Sequence, residues 1–60
     1  MARYVVRVLR EHDHTYLERE VEANSFDLAA HRALDELRGI YPADGGFYLA
    51  IVESVRRVSP

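Results

Sequence analysis

Apolar and polar residues alternate from Arg3 to Arg10, with Tyr4, Val6 and Val8 on one side and Arg3, Val5, Arg7 and Leu9 on the other. A period of two is that of a strand with one face against a core. Glu11 to Thr15 is polar and reads as a hairpin loop. Alternation resumes from Tyr16 to Ala23, with Leu17, Val21 and Ala23 facing one way and Tyr16, Glu18, Glu20 and Glu22 the other. Arg19 falls on the apolar side, so its head must reach the sheet edge or an acidic partner. From Asn24 to Ile40 the period lengthens to that of a helix. Phe26, Ala30, Ala33, Leu34 and Leu37 form its apolar face, and Asp27, His31, Arg32, Asp35, Glu36 and Arg38 the polar one.

Ser25 or Asn24 is suited to cap this helix, because a short polar side chain accepts from the free N–H groups of the first turn. Gly39 is expected to end it in a left-handed conformation, with Ile40 closing the apolar contact that often follows. Tyr41 to Gly46 is rich in turn formers. Phe47 to Val58 reads as a third strand, with Phe47, Leu49 and Ile51 inward and Tyr48, Ala50 and Val52 outward. Its polar far end, Glu53 to Pro60, is expected to fray.

The order β-β-α-β predicts an α+β fold in a single domain, residues 1–60. A tight hairpin makes the first two strands antiparallel. A right-handed crossover through the helix then places strand one in the middle, in order 2-1-3. The helix covers one face of this antiparallel sheet, and no second layer is predicted for the other. The uncovered face should carry Val5, Leu9, Tyr16, Tyr48, Ala50 and Val52 among Arg3, Arg7, Glu18, Glu20, Glu22 and Arg56. Arginines and aromatics on such a surface are common interface anchors. Charges on Glu18 to Glu22 protect one edge strand from unwanted pairing, whereas the third strand is apolar from Phe47 to Val52 and less protected.

Sixty residues bury only about 60% of their unfolded surface, so the core is thin and a second copy would help it. Without cysteine there is no disulfide framework and no thiolate metal site. No apolar run approaches the length of a membrane span, and the first residues read as a strand rather than a signal peptide, so the cytoplasm is the expected compartment. The net charge is −2, although the eight basic residues are all arginine. That balance weighs against sequence-independent nucleic-acid binding, which needs many phosphate contacts. His12-Asp13-His14 has the right chemistry for a metal, but closely spaced ligands in a hairpin make a poor cage, and a solvated loop is the better reading. His31, four residues from both Asp27 and Asp35, fits helix-surface pairing. The Glu18/Glu20/Glu22 row lacks the enclosure that acid–base catalysis requires. Gly45-Gly46 precedes a strand, not the helix N-terminus a phosphate loop needs. No cofactor is implied, and an enzyme is not the expected class.

In the pattern of its elements the chain resembles the small inhibitors of bacterial RNA polymerase made by T-seven-like podoviruses. The residues that carry the resemblance are Tyr4 to Val8, Val21-Glu22-Ala23, Ser25 to Leu37, Tyr41-Pro42-Ala43, Gly46-Phe47, and Arg56-Arg57 with Pro60. The resemblance implies a phage protein without catalysis. It would dock on the polymerase through last-strand arginines, here Arg56 and Arg57, and obstruct the DNA channel with an acidic strip, for which Glu11 and the Glu18 to Glu22 row are the analogues. The expected function is therefore a protein-binding module, with Arg3, Arg7, Arg56, Arg57, Glu18, Glu20, Glu22, Tyr48 and Val52 as contact residues. The sequence leaves two alternatives open. One is a nucleic-acid binder using Arg3, Arg7 and Arg56 with bases stacked on Tyr16 and Tyr48. The other is a homodimer that buries its own open faces.

Overall fold

The two alternating runs pair as an antiparallel hairpin in the computed structural model, which describes residues 1–11, 13–40 and 50–59. Strand β1 spans Ala2–Arg10, β2 Thr15–Ala23, helix α1 Phe26–Ile40, and β3 Ala50–Ser59. The sheet order is β2-β1-β3, antiparallel throughout, as the crossover rule requires. The hairpin register runs without interruption from Ala2 opposite Ala23 to Arg10 opposite Thr15. Its loop is closed by His14 in the left-handed region, at φ 58°. Asp13 braces the loop: one carboxylate oxygen accepts from the Thr15 N–H at 3.2 Å and the Thr15 hydroxyl at 2.7 Å. Arg10 holds the carboxylate with two further hydrogen bonds, from Nε at 3.2 Å and Nη2 at 2.5 Å.

The core lies between the sheet and the helix. Tyr4, Val6 and Val8 from β1 meet Val21 and Ala23 from β2 and Ala29, Ala33 and Leu37 from α1. Leu17, Leu34, Ala50, Val52 and Val55 close its margins. The largest fully buried side chains are only Val6 and Val8, so the core is as thin as the chain length predicts. Arg19, which falls on this apolar side, escapes as anticipated: its Nε donates to Glu36 Oε1 on the helix at 2.8 Å.

Ser25 is the cap. Its hydroxyl accepts from the Leu28 N–H at 3.2 Å, and its carbonyl accepts the first helical bond, from the Ala29 N–H at 3.0 Å. Asp27 in the first turn and Arg38 in the last complement the helix dipole.

Three expectations about the helix need correction. Ala33 and Leu37 are buried as expected and Leu34 packs beside them, but Ala29 takes the buried place expected of Ala30. Phe26 is half exposed and meets the core edge-on, its ring centroid 5.0 Å from that of Tyr4. Gly39 does not stop the helix, which continues through Ile40, and its φ is not positive. Ile40 is exposed and is not among the described residues that pack against the core.

Strand β3 also departs from expectation. Its polar end does not fray, since the ladder to β1 continues to Ser59 opposite Arg3. Two register shifts interrupt it: Arg7 faces Ser54 while Val8 faces Val52, and Tyr4 faces Arg57 while Arg3 faces Ser59. Glu53 and Val58 are therefore the extra residues of two β-bulges. Phe47 to Leu49, read as the start of this strand, lie outside the described residues.

Candidate docking face

Because side chains alternate across a strand, burial of Tyr4, Val6 and Val8 under the helix turns Arg3, Val5, Arg7 and Leu9 to the other side of the sheet. The register then arranges the uncovered face in rows. Tyr16, Leu9 and Ile51 make an apolar row at the hairpin end. Glu18, Arg7 and Ser54 follow, then Glu20, Val5 and Arg56, and last Glu22 beside Arg3. Down the columns, β2 is acidic, β1 alternates arginine with aliphatic residues, and β3 carries Ile51 at one end and Arg56 towards the other.

The charges on this face partly satisfy one another. Arg3 Nε lies 3.4 Å from Glu20 Oε1, a diagonal cross-strand pair. Arg7 Nε lies 3.6 Å from Glu53 Oε1, which reaches inward from the bulge. Both pairs are about half exposed, so each is worth no more than roughly 0.5 kcal/mol. Arg7 is fixed more by stacking, its guanidinium carbon 4.2 Å from the centroid of the Tyr16 ring. Its Nε is closed off from solvent without a hydrogen bond among the described residues, so ring and charge alone hold the head in place. Tyr16 and Ile51 remain 46% and 51% exposed, which leaves an apolar edge beside an anchored arginine.

Of the predicted contact residues, Arg3, Arg7, Glu18, Glu20, Glu22 and Arg56 share this face. Val52 does not. It stands opposite buried Val8 and packs against the core under the helix, as Ala50 does beside it. Arg57 also lies on the helix-covered side, opposite Tyr4, so the two neighbouring arginines serve opposite faces. Tyr48 lies outside the described residues. Ile51, Glu53 and Ser54 of the face were missed. The run Phe47 to Val52 is apolar at both parities, so alternation does not say which half points inward. A bulge residue follows neither parity.

On the β3 edge the bulges fall at Glu53 and Val58, whereas Ala50 to Val52, the described part of the apolar run, pairs with β1 in unbroken register. On the β2 edge, Arg32 donates to the Glu22 carbonyl and occupies one outward backbone acceptor. Beside it lies a surface depression of about 310 Å³, lined by Arg3, Glu20, Val21, Glu22, Arg32 and Glu36. Its mixed charges favour no one ligand sign.

In the hairpin loop, Arg10 and Thr15 engage the Asp13 carboxylate and hold its pKa well below the usual value of 3.8. Its oxygens brace the turn, and His12 lies outside the described residues. Among the described residues no three His, Cys, Asp or Glu side chains cluster as metal ligands. No helix among them is long and apolar enough to cross a membrane. No protein-family model, curated protein or solved structure matches this chain.

Proposed function

We propose that this chain is a non-enzymatic protein-binding module that docks through the uncovered face of its sheet. The observation that supports this most is the Tyr16–Leu9–Ile51 row, whose Tyr16 and Ile51 are exposed next to the stacked Arg7. An aromatic, an aliphatic and an arginine on rigid backbone resemble the few residues that dominate most interfaces. The acidic column Glu18, Glu20 and Glu22 favours protein over nucleic acid, since phosphates would meet carboxylates along a whole strand. The resemblance to phage inhibitors makes bacterial RNA polymerase the first foreign partner to test and the host cytoplasm the compartment.

The test is a pull-down from nuclease-treated bacterial lysate, comparing the tagged chain with a Tyr16→Ala, Ile51→Asn double variant. Both positions are about half exposed, so the variant should keep the circular dichroism of the parent. A protein retained by the parent and lost with the variant supports the face as the docking site. Equal capture by both, or capture by neither, refutes it.

A further inference from the structure

Resting on that reading, we infer that a partner of the uncovered face is a second copy of the same chain, stacked face to face about a twofold axis parallel to β1. The charge pattern of the rows supports this arrangement. Such an axis lays β1 over β1 of the other copy and β2 over its β3, while each row stays over itself. Glu20 then faces Arg56 of the second copy and Arg56 faces its Glu20, two opposite-charge contacts from one pair of residues. In the apolar row, Tyr16 faces the second Ile51 and Leu9 faces Leu9. The other in-plane twofold, across the strands, sets the Glu18–Glu20–Glu22 column against itself. The first axis also brings Arg3 over Arg3 and Arg7 over Arg7, but it alone sets Glu20 against Arg56 and keeps the acidic column off itself, so charge favours it over the second. The usual angle of about 30° between stacked sheets leaves the rows nearest the pivot in register.

Size sets the strength. Three strands of nine or ten residues present a face of roughly 30 by 14 Å. Two such faces bury on the order of 1,000 Å², the low end for a specific interface. The row through Arg7 opposes association, because Glu18 and Glu53 of both copies outnumber the two guanidiniums. Micromolar dissociation constants are expected. The thin core gives the stack a reason, since it adds a second layer where the chain has only one.

Sedimentation velocity over a concentration series, with the full chain, tests this. The parent should pass from monomer to dimer in the micromolar range. Arg56→Glu alone and Glu20→Arg alone should each weaken self-association about tenfold or more, since every change acts twice across the axis. An equimolar mixture of the two variants should recover the dimer, because both cross-axis contacts become opposite in charge again. A parent that stays monomeric overturns the second copy. In that case the pull-down above still decides whether the face docks another protein. A dimer unaffected by the charge reversals, or a mixture that stays monomeric, overturns the stacking geometry.

Discussion

Gly39 offers the sharpest check on the helix. A glycine ending a helix in the left-handed region resists alanine, because a Cβ there costs roughly 1–2 kcal/mol. Here Gly39 lies within α1, its φ is not positive, and a Cβ built on it would meet none of the described residues within 4 Å. Gly39→Ala therefore adds no clash and removes backbone freedom from the unfolded chain. A full helix-interior exchange is worth about 1 kcal/mol, and the gain shrinks towards a fraying end. The expected stabilisation is about 0.5–1 kcal/mol. In urea unfolding followed by helical circular dichroism, with a slope near 1 kcal/mol per molar, the midpoint should rise by about 0.5–1 M. The melting temperature should rise by roughly 2–8 °C, measured at equal protein concentration because association would also shift it. A lower midpoint at unchanged slope would refute the reasoning and restore Gly39 as a left-handed stop.

Two further predictions concern polar contacts that hold the elements together. Arg19 and Glu36 join β2 to α1 at 2.8 Å, with side chains 40% and 37% exposed. A double-mutant cycle with alanine at both should give a coupling of about 0.5–1 kcal/mol, discounted for solvent, and a coupling of zero would show the pair to be incidental. Asp13 has its carboxyl pKa lowered in the folded state, so its contribution is present above about pH 4 and fades as the pH falls. Melting temperatures of the parent and Asp13→Asn, compared from about pH 5 to pH 2, should therefore converge on acidification, and parallel curves would remove the brace from the account.

How far the sequence carried the description depends on which signals are local. Strands β1 and β2, their hairpin and the Ser25 cap were legible because period and capping chemistry act within a few residues. The strand order 2-1-3 followed from the handedness of a crossover, and the need of Arg19 for the sheet edge or an acidic partner from the cost of a charge on an apolar face, while only the structure supplied Glu36. The uncovered face and its five charged residues on β1 and β2 were legible for the same reasons, whereas Arg56 reaches it only because the bulge at Glu53 shifts the parity of β3. The parity of β3 was not. In an apolar run both parities look alike, and only pairing with β1 put Val52 beneath the helix and Ile51 outside. The bulges at Glu53 and Val58 lie in the pairing itself and leave no mark on the pattern. Gly39 shows the same division, since glycine permits a helix stop and only the fold around it decides whether one occurs. Periodicity determined which elements form and which face of the hairpin is buried. Contacts between distant segments decided where β3 turns each side chain, and so which residues the open face presents.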